Sequence, residues 1–235
     1  MRRLSDADLL DLWERGNRLH PLDRALLLLA AALPDTAYEH LADWPLGRRN
    51  QALAKIRSDC FGPNIVGWMA CPHCGEKLEF QMSADLFNDD AKKVENPRER
   101  VEMNGLTFRL PTSRDLAKAA KETDPMIGAV RIAESCLVGA RPKRDWTSAE
   151  LAAIGENMAA ADPLGETRLA FVCPNCGKES EESLDIASLF WAEVEVRVRR
   201  VLSAIHALAS AYGWTESEIL SLSNTRRAWY LEMVL

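Results

Sequence analysis

Cys71-Pro72-His73-Cys74-Gly75 and Cys173-Pro174-Asn175-Cys176-Gly177 are two near-identical segments of the chain, called the two knuckles below. In each knuckle two residues separate a pair of cysteines, and a glycine follows. That glycine can adopt the positive φ that turns main-chain amides toward sulfur. Four thiolates complete the tetrahedral shell of Zn²⁺, so the knuckles predict one closed, structural zinc site per chain. The predicted ligands are Cys71, Cys74, Cys173 and Cys176.

The spacing between the knuckles is unusual. Cys74 and Cys173 stand 99 positions apart, whereas the halves of an ordinary zinc ribbon are about 15–20 residues apart. A shared metal ion would therefore join two distant stretches of the chain. The alternative is a redox or disulfide pair. A thioredoxin-like motif is expected once, beside a βαβ pattern, so two matched copies favour zinc.

The composition is that of an ordinary globular chain. Its 235 residues, 47% hydrophobic and 27% charged, suffice for one composite domain or two small ones. No stretch approaches the ~18–20 apolar residues of a membrane span, and the N-terminus lacks the apolar core of a signal peptide. Four of the six cysteines lie in the knuckles, as in an intracellular metal protein, so we expect a cytoplasmic location. Cys136 lies in an apolar run and is expected to be a buried core thiol.

The distribution of charge bears on the choice of partner. Acidic residues outnumber basic ones in both knuckle regions, 66–87 and 166–185. A zinc ribbon that binds nucleic acid needs lysine and arginine facing the phosphates. The acidic surplus therefore disfavours nucleic acid, although a zinc-ribbon nucleic-acid-binding or transcription-associated protein stays the alternative function.

The chain divides into five regions around the knuckles. They are an N-terminal helical region (1–65), a first knuckle hairpin (66–87), an insert of a β-hairpin plus helices (88–165), a second knuckle hairpin (166–185) and a C-terminal helical hairpin (186–235). Each knuckle lies between an apolar strand and a short polar strand followed by a helix start, which resembles an internal repeat. We expect a mainly helical α+β fold with a small zinc-ribbon-like β core. Residues 88–100 are polar and predicted to be a mobile connection.

Local signals place the main elements. Ser5 is predicted to cap the first helix, Ser113 a helix in the insert, and Thr147 and Thr215 open capping boxes. A helix from Leu46 to Cys60 is predicted to be basic on one side. Asn104-Gly105 is a strong hairpin turn signal. Apolar residues recur every three or four positions from Ile186 to Tyr212, which predicts one long amphipathic helix ending at Gly213.

The C-terminal tail carries a cluster of aromatic and arginine residues. Such side chains supply much of the binding energy at protein interfaces. We predict a partner-binding surface formed by Trp214, Arg226, Arg227, Trp229 and Tyr230. The alternative is that this segment only covers the protein's own core.

Signals for catalysis are weak. The four histidines lack the spacing of a catalytic metal site, and the sequence has no Walker loop, GxSxG motif or dinucleotide fingerprint. A zinc ion held by four cysteines has no open position for water or substrate. We therefore expect that the protein is not an enzyme.

A family resemblance rests on longer patterns in the second half of the chain. They are Phe108-Arg-Leu-Pro-Thr-Ser-Arg-Asp-Leu116, Ala161-Asp-Pro163, Ile205-His-Ala-Leu-Ala-Ser-Ala-Tyr-Gly-Trp214, Glu216-Ser-Glu-Ile-Leu220 and Arg226-Arg-Ala-Trp-Tyr-Leu231. With the second knuckle leading into Leu189-Phe-Trp, they resemble the T4-type phage baseplate hub assembly protein family, also found in gene clusters for contractile injection systems. The resemblance covers residues 101–235 best. The phage members are typically shorter and need not carry both cysteine pairs, so the zinc prediction rests on the knuckles alone.

The resemblance implies a function in particle assembly. It implies a non-enzymatic assembly factor or minor structural component of a contractile tail baseplate, which binds baseplate or hub proteins. Neither nucleic acid nor membrane is then expected as a partner. Besides the nucleic-acid alternative, an unrelated zinc-stabilised interaction protein or enzyme accessory protein also fits the sequence.

Overall fold

The computed structural model of the chain describes residues 1–87, 100–140 and 145–234. Within these residues the protein is α+β and mainly helical, with small antiparallel sheets, as the sequence predicts. The polar connection expected at residues 88–100 lies outside the described residues, apart from its last residue.

The helices of the described residues are α1 (Asp6–Gly16), α2 (Pro21–Ala32), α3 (Tyr38–Ala42), α4 (Leu46–Phe61), α5 (Ser113–Ala119), α6 (Pro125–Cys136), α7 (Ser148–Ala161), α8 (Ile186–Tyr212), α9 (Glu216–Ser221) and α10 (Asn224–Glu232). The strands are β1 (Asn64–Ala70), β2 (Lys77–Ser83), β3 (Arg100–Met103), β4 (Leu106–Arg109), β5 (Leu137–Val138), β6 (Thr167–Val172) and β7 (Glu179–Leu184). They form three antiparallel sheets, β1-β2, β3-β4-β5 and β6-β7.

Side-chain caps fix the starts of several helices where the sequence predicts them. The Ser5 hydroxyl accepts from the backbone of α1, and Thr147 and Thr215 head the capping boxes of α7 and α9. Helix α8 has the predicted bounds and ends at Gly213, whose φ of 67° lies in the left-handed region that favours glycine. These local predictions are confirmed.

Two details of the helical prediction are wrong. Helix α5 is capped by Thr112 rather than by Ser113, because the Thr112 amide and hydroxyl both donate to the Asp115 carboxylate. The short helix α3 is missing from the prediction, since five residues hold too little of a helical period to be recognised. Helix α4 forms as predicted, and two of its arginines, Arg49 and Arg57, are buried.

Helix α8 lies at the centre of the larger hydrophobic core. Its fully buried residues include Phe190, Val194, Val198 and Leu208, which recur at helical spacing. Leucines of α1, α2 and α4 pack against this stripe. The N-terminal and C-terminal helical regions therefore share one core, and truncating a residue such as Phe190 to alanine would cost about 3–5 kcal/mol.

A second, smaller core lies in the insert. It joins Phe108 of β4, Cys136 of α6 and Ile154 of α7. The hairpin before it turns as predicted at Asn104-Gly105, where both residues have positive φ. Cys136 is fully buried, as predicted, and burial raises the pKa of its thiol to about 12. The insert thus has its own apolar centre beside the main core.

The knuckle hairpins form two separate two-stranded sheets. In the first, Trp68 lies opposite Glu79, and in the second, Ala170 lies opposite Glu181. Among the described residues no ladder joins the two sheets. The expected single ribbon-like sheet is therefore absent from this part of the chain, and the two hairpins meet at their knuckles instead.

The two hairpins are attached to the helical core in different ways. The first hairpin follows α4, from which the Arg57 guanidinium donates to the carbonyls of Gly62 (2.6 Å) and Asn64 (2.7 Å). The same guanidinium pairs with the Glu193 carboxylate of α8 at 2.5 Å. The second hairpin runs directly into α8, where the Asp185 carboxylate caps the first turn. Hydrogen bonds from Arg57 of α4 hold the start of the first hairpin, and direct continuity with α8 holds the end of the second.

Helix length and hydropathy also bear on location. Among the described residues, no helix combines the length and the apolar character needed to cross a membrane.

Candidate metal centre

The two knuckles have the same backbone geometry. In the first, the Cys71 amide donates to the Glu76 carbonyl at 2.8 Å, and the Gly75 amide donates back to the Cys71 carbonyl at 2.8 Å. In the second, the equivalent bonds from the amides of Cys173 and Gly177 measure 3.0 and 2.8 Å. Both glycines have the predicted positive φ, 76° and 70°. The turn therefore directs each cysteine pair out of its hairpin in the same way.

The four predicted ligands lie together at the tips of the hairpins. Cys71 Sγ is 3.8 Å from Cys176 Sγ, and Cys74 Sγ is 3.6 Å from Cys173 Sγ. All four sulfurs lie within 4.8 Å of one another. A tetrahedral site with metal–sulfur bonds of about 2.3 Å places its sulfurs about 3.8 Å apart. The cluster thus has the dimensions of a four-thiolate metal site.

The same distances argue against disulfide bonds. A disulfide needs sulfurs about 2.05 Å apart, and all four cysteines are free. The sulfur–sulfur contacts of 3.8 Å (Cys71–Cys176) and 3.6 Å (Cys74–Cys173) both run between the hairpins. A bound ion would therefore link the hairpins, as the spacing of the knuckles predicts.

The ligands differ in exposure. Cys71 and Cys173, the first cysteine of each knuckle, are buried, whereas Cys74 is exposed and Cys176 is intermediate. The Asn175 side-chain amide donates to Cys74 Sγ at 3.7 Å and so orients one of the more accessible sulfurs. The cluster is therefore open to solvent on one side, although each of its four positions is occupied by a sulfur.

The electrostatics of the cysteine cluster favour a bound cation. Burial opposes ionisation of Cys71, but the amides of His73 and Cys74 donate to its sulfur and lower the thiol pKa to about 7. At Cys176 the Lys178 amide favours the thiolate, yet burial and the other three sulfurs outweigh it and raise the pKa to about 11. Without a cation, four thiolates in this space repel one another. A bound dication would remove that repulsion, and the group can hold a metal ion.

The predicted partner-binding residues of the tail separate into two sets. Arg227 is buried and pairs with Asp6 at the start of α1, so it belongs to the protein's own core rather than to an exposed surface. Trp214 stacks on Tyr212 at 4.6 Å and meets Tyr230 edge-on at 4.9 Å, and both pack against the core. For Arg227, Trp214 and Tyr230 these contacts favour the alternative given from the sequence, that the segment covers the protein's own core.

Two residues of the predicted surface remain open. Trp229 is 63% exposed, and Arg226 is exposed beside it on α10. The structure thus leaves this pair available to a partner and removes Arg227 from the surface. The sequence holds one signal for the burial of Arg227, the carboxylate of Asp6 at the start of α1. It attracts an arginine, but the sequence cannot show which arginine reaches it.

The sequence reading also missed the exposed face of the first hairpin. Val66 and Trp68 of β1 are each 63% exposed, although both are large and apolar. The sequence predicts an apolar strand before the first knuckle, but nothing in it shows that the side chains of Val66 and Trp68 lie on the exposed face.

Comparison of the chain with known proteins gives no further assignment. No protein-family model matches it, no curated protein matches it, and no solved structure matches it.

Proposed function

We propose that the cluster of Cys71, Cys74, Cys173 and Cys176 binds one structural Zn²⁺. The observation that supports this is four free cysteine sulfurs at tetrahedral spacing, contributed by two hairpins that share no strand pairing in the described part of the chain. Zn²⁺ is the usual occupant of a closed four-cysteine site, and iron is another metal that such a site accepts. Sulfur fills every position, so the ion holds the fold and takes no substrate. The protein is then not an enzyme.

We further propose that the protein acts by binding other proteins, as an assembly factor or minor structural component of a contractile tail baseplate. Support comes from the sequence patterns of residues 101–235 and from exposed aromatic side chains, Trp68 and Trp229. The acidic surplus of both knuckle regions disfavours nucleic acid as the partner. The partners are baseplate or hub proteins, and the site of action is the cytoplasm or the assembled particle.

The metal proposal is tested by elemental analysis of protein purified without added metal. We expect about one zinc per chain, no iron absorbance, and loss of the metal in Cys173→Ser. Cys60→Ser is the matched control, because Cys60 is a half-buried cysteine outside the cluster. Zinc far below one equivalent in the wild type, or unchanged zinc in Cys173→Ser, would sink the proposal.

The partner proposal is tested by affinity purification of the tagged full-length protein from cells that express its neighbouring genes, followed by mass spectrometry. We expect sheath, tube or baseplate proteins to co-purify. Trp229→Ala tests the tail and Ala228→Ser is its control, since residue 228 is the exposed neighbour on α10. Co-purification of nucleic acid or transcription proteins instead would overturn the assembly proposal and leave the zinc proposal standing.

A further inference from the structure

An open groove of about 840 Å³ lies between the two knuckle hairpins. Four consecutive residues of β1, 66–69, form one wall, and residues 182–184 of β7 form the other. Helix α8 provides the floor with Leu189, Ala192 and Val196. Consecutive residues of a strand border a groove together when the edge of the strand, rather than one of its faces, lines it. The groove therefore runs between two strand edges.

The hydrogen-bond pattern shows which groups of β1 point into the groove. The bonds from Cys71 to Glu76 and from Ala84 to Pro63 close the two ends of the β1–β2 ladder. Antiparallel ladders alternate bonded and non-bonded pairs. Residues 65, 67 and 69 therefore bond to β2, and the N–H and C=O groups of Val66 and Trp68 point away from it. Among the described residues these four backbone groups have no hydrogen-bond partner.

Side chains make this edge apolar as well as unpaired. Val66 and Trp68 project from the same face of β1, and each is 63% exposed. Val196, on the floor of the groove, is 46% exposed. Unpaired strand edges invite pairing with another chain, and proteins commonly protect them with charge, proline or a covering element. Lys77 lies over the Trp68 ring at 5.0 Å, and among the described residues no other charge, proline or strand protects the β1 edge.

We propose that the free edge of β1 binds an extended segment of a partner protein, which adds a third strand to the first hairpin. The inference rests on the proposed protein-binding function and names its surface. The added strand would pair with the backbone of Val66 and Trp68 and lay alternate apolar side chains on α8, the mode of recognition called β-strand addition. The β7 edge is less suited to accept the added strand, because the residues of β7 whose backbone groups point away from β6 include Glu179 and Glu181.

An arginine at the groove indicates the chemistry of one end of the partner segment. Arg57 and Arg197, at the groove, already pair with Glu193 and Asp6. Arg200 has no ion pair among the described residues and lies on α8 about 16 Å beyond Leu189, at 1.5 Å per residue. An acidic residue at that end of the bound segment would meet an uncompensated guanidinium. The predicted ligand is therefore a strand with alternating apolar residues and a carboxylate at one end.

The shape of the groove favours a peptide over a second copy of this chain. The β1 edge of another folded copy lies beside its own α8 and β7, in the same groove, whereas a single extended segment carries no such attached elements. Self-association is the competing outcome of the experiment.

Selection from a displayed library of random 12-residue peptides, on zinc-loaded full-length protein, tests the proposal. We expect enriched peptides with alternating apolar residues and an acidic end. Their affinity should fall at least tenfold on Trp68→Glu and be unchanged on Val172→Glu. The control is matched because Val172 is 61% exposed and lies on β6, outside the groove. Arg200→Glu should weaken only the peptides that carry the acidic residue.

A backbone readout on the wild-type protein needs no variant. N-methylation of every second amide of a selected peptide should abolish binding in one register and leave it nearly intact in the other, since only one edge of the peptide pairs with β1. Equal effects in both registers would overturn strand addition, and so would a failure of every enriched peptide to discriminate Trp68→Glu. Concentration-dependent dimers that disappear in Trp68→Glu would show that the β1 edge binds a second copy of this chain and would overturn the proposal of a partner segment.

Failure of this inference can be told from failure of the proposed function. Zinc content and co-purification of particle proteins are measured independently of the peptides. If both persist in Trp68→Glu, the protein binds its partners through another surface, such as the one around Trp229, and only the groove is excluded. If co-purification is absent from the wild type, the assembly function itself is wrong.

Discussion

The two knuckle hairpins share a turn and a metal cluster but differ in their free edges and in their attachment to the core. The residues of β1 whose backbone groups point away from β2 include Val66 and Trp68. The residues of β7 whose backbone groups point away from β6 include Glu179 and Glu181. The start of the first hairpin is hydrogen-bonded by Arg57 of α4, which also pairs with Glu193 of α8, and the second hairpin is covalently continuous with α8. The shared turn brings the four cysteines together, and the differences concern the other contacts of each hairpin.

Removing the metal should have the largest effect on both hairpins. Without an ion, the loop between Cys74 and Cys173 loses its closure and the four sulfurs repel one another. We expect chelation, or Cys173→Ser, to lower the melting temperature by more than about 10 °C. Hydrogen exchange should show lost protection in β1, β2, β6 and β7 and retained protection in α8.

Cys60→Ser is again the control for this experiment and should melt within a few degrees of the wild type. An unchanged melt after verified metal removal would show that packing alone holds the hairpins together. Loss of protection confined to the first hairpin would show that continuity with α8 suffices for the second.

Arg57→Ala should destabilise the first hairpin more than the second. The substitution removes the donor to two backbone carbonyls and leaves the half-buried Glu193 carboxylate without its partner. Breaking such a pair should cost about 2–4 kcal/mol of the free energy of unfolding, measured by denaturant titration. Exchange should rise in β1 and β2 more than in β6 and β7.

Lys55→Ala is the matched control for Arg57→Ala. Lys55 lies two positions earlier on α4 and forms only an exposed, 3.9 Å ion pair with Asp59. Its loss should cost less than about 0.5 kcal/mol. An equal rise of hydrogen exchange in both hairpins of Arg57→Ala would contradict the view that Arg57 anchors the first hairpin and not the second.

Asp185→Ala should act on the second hairpin, with a smaller effect. The Asp185 carboxylate accepts hydrogen bonds from the amides of Ala187 and Ser188 at the junction with α8. Loss of an N-cap typically costs about 1 kcal/mol. Urea unfolding of Asp185→Ala measures it, and Asp185→Asn should restore most of the stability because asparagine also caps. Equal losses in both variants would mean that charge, not capping, is the main contribution.

Trp68→Thr should have almost no effect on stability, because its side chain is largely exposed and threonine suits a strand. We expect a change below about 0.5 kcal/mol, as for Val172→Thr on the other hairpin. Chemical denaturation of both variants checks this. A loss of 2 kcal/mol or more in Trp68→Thr alone would show that the indole supports the fold and would weaken the case for a binding edge.

Much of the fold was predictable because its signals are local. The caps Ser5, Thr147 and Thr215, the Asn104-Gly105 turn and the helical period of α8 depend on neighbouring residues, and these predictions are confirmed. Signals that depend on distant residues were missed. The burial of Arg57 and Arg227 depends on carboxylates that lie far away in the sequence, Glu193 and Asp6. The cap of α5 was misplaced by one residue because Thr112 and Ser113 have equivalent hydroxyl chemistry.

The candidate metal centre shows the same division. The sequence by itself identified the four cysteines of the cluster, since each pair precedes a glycine in a turn whose geometry is local. The secondary-structure pattern around each knuckle was also local, and the hairpins follow from it.

Only the tertiary structure decided how the hairpins stand to one another and to α8. Within the residues that the structure describes their sheets do not pair, and a groove lies between the edges of β1 and β7. Which strand edge remains free, and which arginine is buried against which carboxylate, depends on the packing of elements that are distant in the chain. Hydrophobic packing and ion pairing act through space, and a sequence pattern records only the residues that lie a few positions apart.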